Sequence, residues 1–235
     1  METCKRTDSG KSSLRRRPAS IEHGLISLVV FAGLAFAGDG WCQPADSNDS
    51  PGAAALETFL ADVHSLTAEF RQELWTADQR LLETATGTLS LKRPNRFLWS
   101  YAEPIEQLVV ADGMQLWIYD VELAQATVAP LDESAASSPA MLLSGDRTVG
   151  EGFDVVRNVT LDGLEWIELT PKLDGTDFAS VSIGFKDQVP QRLDFVDGLN
   201  QVTRIELSNV VVNPDLPDAA FDFEPPAGVD VIGGG

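Results

Sequence analysis

Residues able to act as nucleophiles, general bases or metal ligands are scarce in this sequence. The chain has 235 residues, of which only 2 are Cys and 2 are His. A structural zinc site needs about four Cys or His ligands at a fixed spacing, and no such spacing occurs. His64 stands alone beside the apolar stripe of a predicted helix, and Cys42 lies in a polar segment with no basic neighbour to activate its thiol. We therefore expect no catalytic residue, no metal site and no cofactor.

Acidic residues are abundant instead, and they limit the classes of partner. The chain carries 36 Asp and Glu against 17 Lys and Arg, a formal charge of −19. Pairs such as Asp120 with Glu122, or Asp132 with Glu133, are easy to find in so acidic a chain, and we interpret them as solvated surface charges. Nucleic-acid binding needs a clustered basic surface, which this composition does not provide. The sequence also lacks a phosphate-binding Gly-rich loop, a dinucleotide-binding motif and the Gly-x-Ser-x-Gly turn of hydrolases.

The densest basic cluster of the chain after its N-terminal region, Lys92 to Arg96, ends a predicted strand. Pro94 favours an extended backbone at Arg93. An arginine at a strand end can donate its N–H groups to neighbouring backbone carbonyls. Two interpretations stay open from the residues alone. The cluster is either a surface feature that ends the strand or a latch that hydrogen-bonds the helices covering the sheet.

The first 37 residues have the pattern of an export signal. Six basic residues lie within the first 17, and a 14-residue apolar run follows from Gly24 to Ala37. A membrane-spanning helix needs about 20 apolar residues, whereas a signal-peptide core uses roughly 7–15. Ala35 and Ala37 are small residues at the positions that a signal peptidase recognises, so we predict cleavage after Ala37 and export to the periplasm. Removal of this segment, with its 6 basic and 3 acidic residues, leaves 11 basic and 33 acidic residues, a charge of about −22.

Hydrophobic spacing after the leader predicts a mainly β protein with short helices. We assign residues 38–55 to a flexible leader and residues 56–235 to a single domain. Leu56, Phe59, Leu60 and Val63 follow helical spacing, which predicts an amphipathic helix over 53–65. A second short helix is predicted at 138–145 and a helical turn at 217–221. Alternating apolar residues between turn signals predict about ten antiparallel strands in a curved sheet or open barrel. They are 68–76, 81–92, 96–101, 107–111, 114–120, 124–129, 153–159, 164–171, 178–186, 191–196 and 201–212.

Some of these strands are apolar on both faces. Phe97, Trp99 and Tyr101 share one face of their strand, while Leu98 lies on the other. A sheet with one face in water would carry polar residues on that face. The pattern leaves two interpretations open. Side chains and helices fill the interior, or the sheet encloses a cavity for an apolar ligand.

Two stretches of the sequence carry a specific resemblance. Arg93 to Pro104 follows the pattern R-P-x-x-F-x-W-x-Y-x-x-P, and Asp112 to Asp120 follows D-G-x-x-L-W-x-Y-D. Together they resemble the outer-membrane lipoprotein carrier protein family, LolA. Pro139–Leu143, Trp166–Lys172 and Phe221–Val229 support the likeness, which runs from about Leu56 to Val231.

The resemblance implies an unclosed antiparallel β-barrel of about 10–11 strands covered by an α-helical lid. It also implies a periplasmic chaperone rather than an enzyme. Such a protein accepts outer-membrane lipoproteins that an inner-membrane ABC transporter of the LolCDE type releases. It shields their acyl chains in an apolar cavity and delivers them, as a monomer, to an outer-membrane receptor of the LolB type.

Particular residues take roles by the same resemblance. Arg93 corresponds to the arginine that holds the lid closed through backbone carbonyls. Leu60, Leu142 and Leu143 fall on the lid. The candidates for the acyl-binding cavity or its mouth are Phe70, Phe97, Trp99, Leu116 and Trp117.

Three alternatives fit less well. A LolB-type receptor needs a lipid-modified cysteine, and Trp41 stands where the modification signal before Cys42 needs a small residue. A lipid-sensing or regulatory domain of the sigma-factor-regulator type shares the fold but normally has a second domain. A periplasmic hydrolase would need catalytic residues that the sequence lacks.

Overall fold

The computed structural model describes residues 51–131, 139–145, 152–172 and 178–233. The predicted signal peptide, Cys42, and the pair Asp132 and Glu133 lie outside these ranges. Helix α1 spans Pro51–Asp62, helix α2 spans Pro139–Ser144, and a 3-10 helix spans Asp218–Phe221. The strands are β1 Ser65–Trp75, β2 Leu81–Lys92, β3 Arg96–Glu103, β4 Gln107–Asp112, β5 Gln115–Asp120, β6 Gln125–Pro130, β7 Phe153–Leu161, β8 Leu164–Pro171, β9 Phe178–Lys186, β10 Val189–Asp197, β11 Val202–Val212 and β12 Asp230–Gly233. No helix in the described ranges is long and apolar enough to cross a bilayer.

The strands form one unclosed sheet. Their order is β12-β6-β5-β4-β3-β2-β1-β11-β10-β9-β8-β7, so β12 and β7 are its two edges. Neighbouring strands are antiparallel except for β12, which pairs in parallel with β6. This confirms the predicted mainly β, unclosed architecture. The sheet has 12 strands instead of about 10–11 because a short C-terminal strand adds to the β6 edge.

Tight turns with polar caps fix the register of the sheet. At the turn between β4 and β5, the Asp112 carboxylate accepts hydrogen bonds from the backbone N–H groups of Met114 at 2.7 Å and Gln115 at 2.8 Å. Gly113 in this turn has a φ of 102°, a conformation that a residue with a Cβ rarely adopts. The Asp-Gly signal therefore marks a real turn, and it holds Leu116 directly opposite Ala111.

Helix α1 shows that the sheet is curved. The helix packs on β7, β8 and β9, and Phe59 lies 6.1 Å from the ring of Phe185 on β9. The same Phe59 ring lies 5.1 Å from the guanidinium of Arg93, which follows β2. β2 and β9 are four places apart in the sheet, which would separate them by about 19 Å if the sheet were flat. The sheet therefore curls around α1, and we call the side that holds α1 the concave face.

The first helix begins earlier than the sequence pattern predicts, and this corrects the end of the flexible leader. Residues 51–55 are helical, and Ala53 and Ala55 are buried. Their small side chains let the helix approach the sheet closely. A Cβ atom on Gly52 would overlap the backbone carbonyl of Trp166 in β8. The Pro-Gly-Ala composition resembles a linker, but here it provides close packing.

The helix also ends earlier, at Asp62, because β1 begins at Ser65. Ser65 and Leu66 pair with Lys92 and Leu91 of β2, so the backbone is extended where the apolar spacing still fits a helix. His64 lies in the connection between α1 and β1, and its side chain is exposed. Its backbone carbonyl accepts a hydrogen bond from the Arg93 N–H at 2.8 Å.

The opposite, convex face is covered by residues 213–229, which we call the C-terminal segment. Leu98, Val110, Trp117 and Val128 lie side by side on this face of β3 to β6. Phe223 packs on Trp117 with ring centroids 5.5 Å apart, and Phe221 is fully buried. Both faces of this part of the sheet are therefore covered, as its apolar composition requires.

Candidate functional site

The concave face carries a continuous apolar core between the sheet and the two helices. Its members are buried or nearly buried and come from α1, α2 and most strands. The largest side chains without solvent exposure in this core include Phe59, Phe97, Phe185, Leu66, Leu91 and Leu143. In this state side chains and helices fill the interior, which is the first of the two interpretations that the sequence left open.

Helix α2 packs over β2 and β3. Leu143 is fully buried, and Leu142 is partly buried against the same core. The backbone carbonyl of Ser144 accepts a hydrogen bond of 2.9 Å from the N–H of Asn95, in the turn between β2 and β3. On the other helix, Leu60 also packs partly buried against the core. All three residues assigned to the lid therefore lie in helices that cover the concave face.

Arg93 lies between the turn and helix α1. Its Nη1 donates a long hydrogen bond of 3.4 Å to the Leu60 carbonyl, and its guanidinium lies over the Phe59 ring. Its Nε and Nη2 are buried and find no acceptor in the described part of the chain. Burial lowers the pKa of Arg93 from its ordinary value to about 10, so the group stays charged at neutral pH. Arg93 therefore contacts α1 as a poorly solvated charge, and its role as a latch stays a prediction.

Aromatic side chains of β1 and β3 pack together on the concave face. Phe70 lies 5.0 Å from Trp99 and 5.1 Å from Tyr101, centroid to centroid. Gly87, directly opposite Phe70 in β2, makes room for this ring, since a Cβ there would come within 2.8 Å of it. The Tyr101 hydroxyl donates to the Gln72 side-chain oxygen at 3.1 Å. Burial raises the pKa of Tyr101 to about 12.

The other predicted cavity residues separate into two groups. Phe97, Trp99 and Leu116 are buried in the concave core together with Phe70. Trp117 follows Leu116 in β5 and therefore points to the opposite face, where it packs on Phe223. We leave Trp117 out of the candidate site for this reason. Strand alternation in the sequence shows that the two residues differ in face, but not that both faces are covered.

Several residues of the site lack an obvious signal in the sequence. Phe185 on β9 meets Phe59 across the curved sheet, a contact that only the three-dimensional curvature creates. Ser144 is fully buried at the end of α2, and its hydroxyl has no partner in the described ranges. Asn213 holds the end of α1, because its side-chain oxygen accepts from the His64 N–H at 2.7 Å and its amide donates to the Asp62 carbonyl at 3.0 Å. Within the described residues no group of three or more His, Cys, Asp or Glu is placed to hold a metal ion.

Comparison with known proteins assigns the chain to a family. Residues 61–224 match the family described as "Outer membrane lipoprotein carrier protein LolA". The chain belongs to the LolA family. An outer-membrane lipoprotein carrier protein from Nitrosospira multiformis is 38% identical over 182 residues, covering 77% of this chain and 88% of the relative. One from Halorhodospira halophila is 41% identical over 180 residues, covering 75% and 83%.

A solved LolA superfamily protein from Nitrosomonas europaea is 15% identical, with a TM-score of 0.47. It covers 72% of this chain and 96% of its own.

Proposed function

We propose that this LolA-family protein carries outer-membrane lipoproteins across the periplasm and does not act as an enzyme. The observation that carries the proposal is the apolar concave face, which two short helices cover. Each acyl CH2 withdrawn from water contributes about 0.8 kcal/mol, so acyl chains cannot cross an aqueous compartment without a shield. The concave face offers such a shield if its cover moves.

The proposed binding step is an exchange of contacts. Phe59 of α1 and Leu143 of α2 occupy the concave core. Acyl chains displace these side chains, so the apolar surface of the core stays out of water in both states. The net affinity is then the difference between two apolar contacts, which lets a carrier bind firmly and still release its cargo.

The proposed partners follow from family membership. The cargo leaves the inner membrane through an ABC transporter of the LolCDE type and passes to an outer-membrane receptor of the LolB type. Export requires the predicted signal peptide of residues 1–37. The strongly acidic composition supports a carrier that does not settle on anionic membranes.

The test is release of a labelled lipoprotein from inner-membrane spheroplasts. We expect the purified mature protein to bring the label into a soluble one-to-one complex, while buffer alone releases none. Transfer of the label from that complex to outer-membrane vesicles then tests delivery. Release no greater than with buffer would contradict the carrier function.

A further inference from the structure

Three buried side chains on and under the concave face have hydrogen-bond donors without acceptors. They are Arg93 with its Nε and Nη2, Trp99 with its indole Nε1, and Ser144 with its hydroxyl. None of these atoms finds a partner within the described ranges. Buried donors are nearly always paired in folded proteins, and an unpaired one calls for a physical reason. Arg204 Nε on the opposite face is also without a hydrogen bond, but it lies 3.5 Å from the Asp194 carboxylate. The three donors of the concave side have no such neighbour, which indicates a common reason.

The three donors belong to connected parts of the chain. Ser144 ends α2, and its carbonyl is bonded to Asn95, two residues after Arg93. Trp99 lies on β3, the strand that begins after this turn, and its ring is buried in the concave core. The hydrophobic side chains of the concave core that pack around Trp99 have no hydrogen-bond acceptors.

Tyr101 provides an internal contrast. It lies two residues after Trp99 on the same face of β3, and its hydroxyl is bonded to Gln72. The chain therefore provides a polar partner at one aromatic position and none at the next. The unpaired indole N–H is therefore specific to Trp99 and is not shared by the other polar aromatic residue on this face of β3.

We propose that these donors form a subsite for carbonyl oxygens of the ester and amide bonds that attach acyl chains to a lipoprotein's N-terminal cysteine. This inference rests on the proposed carrier function and adds to it recognition of the linkage itself. Such carbonyls accept hydrogen bonds, carry no charge, and lie at the base of the acyl chains. Two of the three donors are neutral groups, and the chain as a whole is strongly acidic. A neutral acceptor therefore fits the subsite better than a carboxylate or a phosphate.

The test compares two synthetic diacylated lipopeptides with the same peptide and the same chain lengths. In one the chains are ester-linked, and in the other they are ether-linked and lack the carbonyls. Affinities are measured on the purified mature protein by competition with a fluorescent lipopeptide. We expect the ester form to bind about tenfold more tightly, since two or three hydrogen bonds distinguish it from the ether form.

Substitutions then assign the preference to the subsite. In Trp99→Phe combined with Ser144→Ala, the ester-to-ether ratio should fall to about twofold or less. Ser144→Ala alone should lower it by about threefold, which keeps the test valid if the double variant does not fold. Trp166→Phe is the matched control. Its indole N–H is already bonded to the Leu161 carbonyl at 3.3 Å, and it lies on the face opposite buried Ile167. The control should keep the wild-type ratio.

Each outcome decides between stated alternatives. A wild-type ratio near one, or a ratio that the double variant leaves unchanged, would overturn the subsite while the carrier function stands. Competition by a free fatty acid of equal chain length that is stronger than by the ester lipopeptide would show an anion site instead. Failure of both lipopeptides to bind would instead contradict the carrier function.

Discussion

Two half-buried arginines, one on the convex face and one under the concave cover, have opposite electrostatic surroundings. On the convex face Arg192 donates to Asp194 through Nε at 2.9 Å and Nη2 at 2.7 Å, and this pairing raises its pKa. Under the concave cover Arg93 has one hydrogen bond of 3.4 Å, and burial lowers its pKa. Both guanidinium groups lie over an aromatic ring. The difference is the carboxylate, which only the convex arginine has.

The two covers also differ in the kind of contact that holds them to the sheet. The C-terminal segment is held to β1 and β2 by short bonds, including Ser65 Oγ to the Pro214 carbonyl at 2.7 Å and Lys92 Nζ to the Leu216 carbonyl at 2.7 Å. The strand that follows this segment, β12, adds ladder bonds to β6. The helices on the concave side rest mainly on apolar contacts, which are non-directional and can be exchanged for acyl chains. We therefore predict that the convex cover stays in place while the concave cover opens.

The largest expected effect comes from removing a buried phenylalanine ring, Phe59 from the concave cover or Phe221 from the convex cover. Phe59→Ala and Phe221→Ala each remove a fully buried ring, and each should lower the free energy of unfolding by about 3–5 kcal/mol. Phe59→Ala also weakens the cover that acyl chains must displace, so lipopeptide association should become roughly tenfold faster. Phe221→Ala should leave the association rate within about twofold. Urea unfolding and stopped-flow binding measure the two quantities, and equal association rates in both variants would remove the distinction between the covers.

The second effect concerns the arginines. Arg93→Leu replaces a poorly solvated charge with an apolar side chain, so we expect it to leave the free energy of unfolding unchanged or to raise it. The variant loses the Arg93 donors to the acyl carbonyls, but the loaded interior gains apolar surface, and we expect the second effect to be larger. The variant should therefore still load lipoprotein but release it about tenfold more slowly. Transfer of labelled lipoprotein to the receptor measures this rate.

Arg192→Leu is the matched control on the convex face. It leaves Asp194 without its bidentate partner, although Arg204 still lies 3.5 Å from this carboxylate. We expect Arg192→Leu to lower stability and leave the transfer rate unchanged. Transfer by Arg93→Leu at the wild-type rate would show that Arg93 does not control release.

A smaller effect tests how the C-terminal segment is held. Asp218 accepts a hydrogen bond from Lys92 at 2.6 Å, and this bond, with the charges of Lys92 and Arg96, lowers the Asp218 pKa. A carboxylate with a lowered pKa stabilises the fold above its ordinary pKa, and the contribution is lost as the pH falls through the lowered value. Asp218→Asn should therefore melt slightly below wild type at pH 7, and the difference should shrink as the pH falls below the ordinary carboxyl pKa of about 3.9. Asp222→Asn, which removes the same charge four residues later, is the control for the change in net charge.

Much of this architecture can be predicted from the sequence because it depends on local pattern. Alternation and turn dipeptides such as Asp112-Gly113 set the strands, and the spacing of Leu56, Phe59 and Leu60 sets most of α1. β12 is harder to predict because four residues carry too little periodicity, and its parallel pairing depends on the path of the C-terminal segment. Gly52 and Ala53 resemble a linker because their close approach to β8 is a long-range contact.

The same distinction between local pattern and long-range contact applies to the candidate site. Phe70, Phe97, Trp99 and Leu116, which the resemblance groups together, lie in one concave core, and Arg93 contacts α1. Their roles in acyl binding and lid closure stay predictions. It does not separate Trp117 from them, because the convex face is covered by a segment about a hundred residues later in the chain. Whether a buried N–H has an acceptor is invisible in a sequence, so the donors of Trp99 and Ser144 emerge only from the packed structure.

The smallest effect tests how dry the concave face is beside Phe70. Burial raises the pKa of Tyr101 to about 12, so the folded protein keeps its phenol neutral while an unfolded chain loses the proton near pH 10. Stability from this burial is complete below about pH 10 and is lost as the pH rises toward 12. Arg93 acts in the opposite direction over part of this range, because its lowered pKa lets the folded state lose a proton first.

The two contributions are separated by comparing wild type with Tyr101→Phe at each pH. Absorbance at 295 nm should show a phenolate step near pH 12 in wild type that the variant lacks, with far-UV circular dichroism confirming that both are folded. A Tyr101 step near pH 10 in the folded protein would mean that water reaches this end of the concave face. The difference in solvation between the concave and convex faces would then be limited to the surroundings of Arg93.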